Sequence, residues 1–131
     1  MAADLMGKLQ LKPGQTLALL HTPAGLMDSL GPQLAPATLT EGTPGATDAA
    51  LVFVTQRADV ISDAKAAIAL VRPGGLLWVA YPKGGSAVPT DLNRDKLWEA
   101  MMPTGWRPVR QVAIDATWSG LRFRPAAEVG R

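Results

Sequence analysis

Three side chains that can carry positive charge, His21, Arg57 and Lys83, each come within three residues after the end of a short apolar segment. If these segments are parallel strands, their carboxyl ends meet at one edge of a sheet, where ligands of open α/β folds usually bind. Such cations bind phosphates and carboxylates, and the Thr55 hydroxyl adds a further donor. The pattern predicts a site for a small anionic ligand at this rim.

The segment Lys83–Ser86 strengthens this prediction, because it places a lysine, two glycines and a serine shortly before a helix predicted to begin at Thr90. A helix N-terminus attracts anions, and Ser86 could donate a hydrogen bond. The lysine precedes the glycines, so this is no Walker-type phosphate loop, and Asp91 would repel an anion. The alternative interpretation is a surface loop with an ordinary helix cap.

His21 is the one histidine of the chain and the candidate general base. A general base needs a partner that orients it, and the topology suggests Asp28 or Asp91 as that carboxylate. The alternative is a hydrogen-bonded structural histidine. Neither Thr55 nor Ser86 lies in a nucleophile-elbow context, and no catalytic residue is assigned.

A second candidate surface is the C-terminal hairpin, where Trp118 and Arg122 could form a partner-binding patch by stacking. Alternatively, Arg122 pairs with Asp115 or Glu99 and is structural. From Arg107 onward the chain has five arginines against two acidic residues. This excess indicates either a solvated outer face or a face that binds an anion or a partner.

The chain has four tryptophans, which is many for 131 residues. Trp78 and Trp98 are predicted to be core residues. Trp106 and Trp118 are predicted to be half-exposed and to line a subunit interface, where tryptophan is enriched. We therefore expect a homo-oligomer.

Composition excludes several classes of protein. With 47% hydrophobic and 18% charged residues, the 131 residues fit one domain, 1–131. The net charge of +2 is small for a nucleic-acid-binding protein, so nucleic acid is an unexpected partner.

Without cysteine and with a single histidine, no metal site is expected. The segment 1–10 shows neither a signal peptide nor a membrane span, so a cytoplasmic location is expected.

Apolar runs alternate with helical patterns along the chain. Short apolar runs bounded by turn residues are typical of strands covered on both faces, and the chain closes with two strands joined by a turn around 116–119. These features predict an α/β fold: a small three-layer Rossmann-like domain whose mostly parallel sheet is closed by a C-terminal antiparallel hairpin. The predicted strands are 16–20, 37–40, 50–54, 76–81, 109–114 and 121–124, and the main helices begin at Asp59 and Thr90 and end at Val71 and Met102.

Five segments together resemble a family of small bacterial proteins of unknown function. The likeness spans nearly the whole chain, and its Tyr-Pro-Lys and Trp-Ser-x-Leu-Arg-Phe segments are distinctive. It implies a stand-alone domain and supplies no activity. The segments are Lys8–Gln15, Val52–Thr55, Leu77–Lys83, Pro89–Leu92 and Asp115–Phe123.

The chain is also distantly similar to the second half of Rossmann-type S-adenosylmethionine-dependent methyltransferases, through a helix, Arg72–Gly75, a strand, a helix and a closing hairpin. Those enzymes follow their first strand with a glycine-rich turn, whereas here His21–Gly25 has one glycine and a proline. No cofactor is therefore predicted.

Three functions are weighed. The leading hypothesis is a non-enzymatic binding or regulatory domain with a small anionic ligand at the strand rim. The alternatives are a degenerate methyltransferase-like enzyme and a protein-interaction module that acts through the C-terminal hairpin.

Overall fold

A six-stranded sheet forms the centre of the computed structural model, which describes residues 5–34, 37–40, 45–85 and 88–126. Within these residues the strand order is β2-β1-β3-β4-β6-β5. The strands are β1 (Thr16–Leu20), β2 (Thr38–Thr40), β3 (Thr47–Phe53), β4 (Val71–Pro82), β5 (Trp106–Ala113) and β6 (Trp118–Pro125).

Helices cover both faces of this sheet. Helices α3 and α4 contribute to the apolar cluster on one face, and α1 and α2 contribute to the cluster on the other. None of the described helices is long and apolar enough to cross a bilayer. The helices are α1 (Leu5–Lys8), α2 (Leu26–Leu34), α3 (Val60–Leu70) and α4 (Arg94–Met101).

The predicted fold class is confirmed by the strand pairing. Strands β2, β1, β3 and β4 pair in parallel, while β6 is antiparallel to both β4 and β5. The chain passes from β1 to β2 on one side and then to β3 on the other. The order therefore reverses between β1 and β3, and this is the switch point at which open α/β sheets usually bind ligands.

The central strands are apolar at successive positions because both of their faces are buried. In β3, Ala50 and Val52 join the cluster beneath α3 and α4, whereas Leu51 and Phe53 join the cluster beneath α1 and α2. Side chains alternate between faces along a strand, so a continuous apolar run supplies both layers. This is why the sequence pattern located these strands correctly.

Helix α4 begins at Arg94, so the prediction of a helix start at Thr90 is wrong. The Asn93 side chain accepts a hydrogen bond from the Lys96 amide at 2.8 Å and caps the helix. The Thr90 hydroxyl donates instead to the Thr55 carbonyl and accepts from the Leu92 amide. Thr90 thereby fixes the loop between β4 and α4 to the end of β3.

The tryptophans correct two further predictions. Trp78 is fully buried and Trp106 is half-buried, as expected, but Trp98 on α4 is 42% exposed and is no core residue. Trp118 is only 4% exposed. The prediction of a half-exposed Trp118 at an interface is therefore wrong.

The two strands of the closing hairpin are longer than the predicted strands 109–114 and 121–124. The turn that joins them spans 114–117 rather than 116–119. One carboxylate oxygen of Asp115 accepts from the Thr117 amide at 2.8 Å and the Trp118 amide at 2.7 Å. An aspartate that binds the backbone two and three residues ahead defines a tight turn. It lets β6 begin at Trp118.

Asp48 joins the beginnings of three strands. One of its carboxylate oxygens accepts from the Thr16 amide at 2.9 Å, and the other accepts from Arg72 Nε at 2.8 Å. The hydrogen bond from the Thr16 amide, followed by that from Arg72, holds the pKa of the Asp48 carboxyl below its ordinary value. The folded state therefore favours the ionised carboxylate.

We expect Asp48→Asn to lower the free energy of unfolding at pH 7 by about 1 to 2 kcal/mol, because a charged acceptor is lost at a partly exposed site. A carboxyl whose pKa is lowered by folding stabilises the protein above its unfolded pKa. That contribution disappears as the pH falls through the folded pKa. Urea unfolding should therefore show a smaller difference between variant and wild type at pH 3 than at pH 7. The exposed Asp95→Asn is the control, and an equal effect of both variants would contradict the prediction.

Candidate functional site

A pocket of about 400 Å³ lies at the carboxyl ends of β1 and β3, at the switch point of the sheet. We call it the strand-end pocket. Its volume is at the lower end of the range of small-molecule sites. Its lining includes His21, Phe53, Thr55, Asp59, Asp63 and Trp118.

His21 and Asp63 form a pair in this pocket, with His21 Nε2 3.4 Å from an Asp63 carboxylate oxygen. Helix α3, which follows β3, places Asp63 near the end of the neighbouring strand β1. The partner of His21 is thus Asp63 and neither of the predicted residues, Asp28 and Asp91. The Asp91 carboxylate instead accepts a hydrogen bond from the Arg57 amide at 2.7 Å. The histidine side chain is 58% exposed, so solutes can reach it.

The backbone of His21 has a φ of +57°, in the left-handed region that residues with a Cβ seldom adopt. Gly25 has a φ of +80°, and a Cβ added there would meet no atom within 4 Å. The loop after β1 therefore turns sharply with a histidine at a position where a glycine is usual. The sequence, with its single glycine, concealed this turn.

The rings of Phe53 and Trp118 meet edge to face in the strand-end pocket, with centroids 5.1 Å apart and planes at 87°. Trp118 is thus a wall of this pocket. It is not available for the partner-binding patch predicted with Arg122. Arg122 Nη1 donates to Gln10 Oε1 at 2.7 Å instead of pairing with the predicted carboxylates.

The structure does not bring the predicted cations together around one site. His21 and Thr55 line the strand-end pocket, but Arg57 lines a separate pocket and forms an ion pair with Glu99 at 3.3 Å. This happens because Arg57 lies in the short 3-10 helix after β3, where Glu99 of α4 is within reach.

Lys83 is half-buried and does not line the strand-end pocket among the residues the structure describes. Its amide donates to the Thr117 carbonyl at 2.8 Å. Ser86 lies outside the described residues. The predicted loop of lysine, glycines and serine therefore contributes no described group to this pocket.

The charge of the strand-end pocket argues against an anionic ligand. Asp59 and Asp63 contribute two carboxylates, while His21 is the one described lining residue that can become positive. Carboxylates and aromatic rings favour a cationic ligand. Among the described side chains, no three histidines or acids converge closely enough to hold a metal ion. The expectation of an anion at this rim is therefore not supported by its residues.

Three solved structures illustrate what this fold is similar to. A SAM-dependent methyltransferase from Aquifex aeolicus has a TM-score of 0.68 at 11% identity, covering 91% of this chain and 86% of the other. The ribosomal protein L11 methylase from Lactobacillus delbrueckii subsp. bulgaricus has a TM-score of 0.56 at 12% identity, with 92% and 74% covered. Fibrillarin from Aeropyrum pernix, with natively bound S-adenosyl-L-methionine, has 0.56 at 14%, with 94% and 73% covered.

At these identities the likeness establishes the fold, and with it the predicted distant similarity to methyltransferases. No protein-family model and no curated protein sequence matches the chain. Membership of the small bacterial family therefore stays a prediction.

The lining of the strand-end pocket fits S-adenosylmethionine. The cofactor carries a positive sulfonium, a positive ammonium and one negative carboxylate group, and Asp59 and Asp63 could neutralise the two cationic groups. Its adenine could lie against the apolar wall formed by Phe53 and Trp118. The sharp turn at His21 brings the backbone of the loop to the mouth of the pocket.

Proposed function

We propose that this protein binds S-adenosylmethionine in the strand-end pocket and transfers its methyl group to an acceptor. The observation that carries the proposal is the position of the pocket, at the switch point of a sheet in a fold similar to that of solved methyltransferases. The three fold neighbours described above, a methyltransferase, a methylase and a fibrillarin, support it. Nothing in the described residues favours the non-enzymatic hypothesis over this one.

Asp63 and Asp59 would hold the positively charged parts of the bound cofactor. The cofactor supplies an electrophilic methyl group. Asp63 also orients His21 through Nε2, which leaves Nδ1 of the imidazole to accept the proton that the acceptor loses. Phe53 and Trp118 would form an apolar wall beside the bound cofactor.

Calorimetry with S-adenosylmethionine and S-adenosylhomocysteine tests the proposal. We expect micromolar binding by the wild type and roughly tenfold weaker binding of S-adenosylmethionine by Asp63→Asn, because a charged partner is lost. His21→Gly removes the imidazole without strain, because glycine readily adopts a positive φ. This variant should still bind the cofactor. In an assay with the methyl acceptor, once that acceptor is identified, it should show no methyl transfer.

Asp95→Asn is the matched control, since Asp95 lies on α4 and pairs with Arg94 instead of lining the strand-end pocket. Equal binding by wild type, Asp63→Asn and Asp95→Asn would place the ligand elsewhere and contradict the assignment of the site. Absence of heat with both compounds would overturn the methyltransferase proposal itself.

A further inference from the structure

A groove runs between α4 and the edge strand β5. It consists of two hollows, of about 420 and 290 Å³, and Trp98 lines both of them. We call it the Trp98 groove. It shares no described lining residue with the strand-end pocket. Besides Trp98, its lining includes Arg94, Met102, Trp106, Pro108 and Val109.

The groove collects most of the exposed apolar side chains that the structure describes. Four large apolar side chains are exposed among the described residues, and Trp98, Met102 and Val109 are three of them. Met102 and Val109 each line one hollow beside Trp98. Single exposed apolar residues are ordinary, whereas several that adjoin one another mark an interaction site. The groove therefore has the composition of a binding surface.

The spacing of residues along α4 fixes the distance between the two hollows. Arg94, Trp98 and the C-cap residue Met102 follow one another at intervals of four, so they lie on one face of the helix. One hollow is lined by Arg94 and Trp98, and the other by Trp98 and Met102. Four helical residues rise about 6 Å, so the hollows lie about 6 Å apart along α4. Two side chains four residues apart on a second helix have the same separation.

Two arginines of β5 give the groove a positive rim. Arg107 lines one hollow and Arg110 lines the other, and both are exposed. Neither side chain forms an ion pair or a hydrogen bond with another described residue. Arg94 adds no free charge, because it pairs with Asp95 at 3.5 Å. The described lining of the two hollows contains no acidic residue, so a partner with carboxylates beside its apolar side chains complements the rim.

The same features select the class of partner. A symmetric dimer would place the groove against itself and bring Arg107 and Arg110 of two copies together. Nucleic acid is held through many phosphates, whereas this groove offers two unpaired guanidinium groups between apolar walls. An extended peptide needs a regular strand edge for its backbone, and Pro108 interrupts β5. A helix satisfies its own backbone hydrogen bonds and needs no such edge.

We propose that the Trp98 groove binds an acidic amphipathic helix of a partner protein. Two large apolar side chains of that helix, four residues apart, enter the hollows on either side of Trp98. Carboxylates of the partner helix pair with Arg107 and Arg110. This surface is independent of the proposed methyl transfer, which takes place at the carboxyl ends of β1 and β3.

Fluorescence polarisation with labelled synthetic helices tests the proposal. The first probe is an alanine-rich helix of about 16 residues, long enough to be helical in water, with two leucines four residues apart and glutamates beside them. We expect saturable binding by the wild type. A helix of the same composition with its leucines two residues apart should bind at least tenfold more weakly, because they no longer share a face. A helix with lysine in place of glutamate should be weakened as much.

Trp98→Ala should weaken binding of the first helix at least tenfold. The double variant Arg107→Gln with Arg110→Gln should weaken it at least fivefold and remove most of its dependence on salt concentration. Leu39→Ala is the matched control, because Leu39 is as exposed as Trp98 but lies on β2, at the other edge of the sheet. Melting curves of each variant verify folding. Binding of S-adenosylmethionine should be unchanged in all of them.

Absence of binding by the first helix, equal binding of all three helices, or an equal loss in Leu39→Ala would overturn the proposal. A dimer in sedimentation that Trp98→Ala dissociates would assign the groove to a second copy instead. Tighter binding of a single-stranded oligonucleotide or of phosphatidylserine vesicles, lost in the same variants, would assign it to a polyanion. Residues 127–131 lie outside the described residues. If the first helix binds only after their removal, the groove serves the chain's own segment, and the proposal fails.

Discussion

Trp78→Ala is expected to lower the free energy of unfolding by about 3 to 5 kcal/mol, which is a large part of the stability of a domain of this size. Trp78 lies in the middle of β4 and is completely buried. It packs beneath α1, and its indole N–H donates to the Leu9 carbonyl at 3.1 Å. Alanine leaves both a cavity and a buried carbonyl without its donor.

Chemical unfolding followed by circular dichroism measures this effect, with Trp98→Ala as the control because Trp98 is 42% exposed. The control should lose much less stability. Trp78→Phe should fall between the two, since it keeps most of the packing and loses the hydrogen bond to Leu9. Similar losses for Trp78→Ala and Trp98→Ala would contradict the described core.

Gly75→Ala is expected to lower the free energy of unfolding by about 3 kcal/mol, the upper end of the range that is typical of overpacking. A Cβ at Gly75 would lie 2.4 Å from Val71 Cγ1 and 2.7 Å from the Asp48 carbonyl oxygen. The valine methyl could rotate away, but the backbone oxygen cannot move without disturbing the pairing of β3 with β4. The whole beginning of β4 would have to shift.

Gly84→Ala is the matched control, because a Cβ at Gly84 meets no atom of the described residues within 4 Å and its φ is not in the left-handed region. It should change stability by less than about 0.5 kcal/mol. Thermal and urea unfolding of both variants measure the difference. A neutral Gly75→Ala would show that β4 begins differently from the described strand.

The sequence predicted the central strands well because a strand that is buried on both faces has apolar residues at successive positions. The apolar run at Thr16–Leu20 coincides with β1, the run 76–81 lies within β4, and the run 50–54 lies in β3 except for its last residue. The edge strand β5 was predicted less well. Its side chains are half-buried or exposed, and it includes Pro108. The pattern therefore predicted this strand only from Val109 onward.

Helix starts were harder to predict because several residues compete for the cap. Thr90 and Asn93 are both good capping residues, and nothing local separates them. A tertiary contact separates the two residues, since the Thr90 hydroxyl donates to the carbonyl of Thr55, just after the end of β3. A contact between residues 35 positions apart leaves no local pattern.

The strand-end pocket lies at the edge of the sheet where the sequence placed its candidate site, but only some of the predicted side chains line it. Strand-end reasoning identified His21 and Thr55, because topology fixes where strands end. It did not reveal that Asp63 faces His21 or that Glu99 holds Arg57, because such pairs depend on how α3 and α4 pack. The only local signal for Asp63 is its spacing of four residues from Asp59, the N-cap residue of α3, which places both acids on one side of the helix.

The edge strand β5 carries one more consequence for how copies of this protein meet. Its pairing with β6 is irregular between Pro108 and Arg110, proline lacks the amide hydrogen that another strand would need, and Arg107 and Arg110 are exposed. A second molecule cannot continue the sheet there without leaving backbone groups unpaired and bringing like charges together. Concentrated solutions should therefore resist fibril growth through this edge.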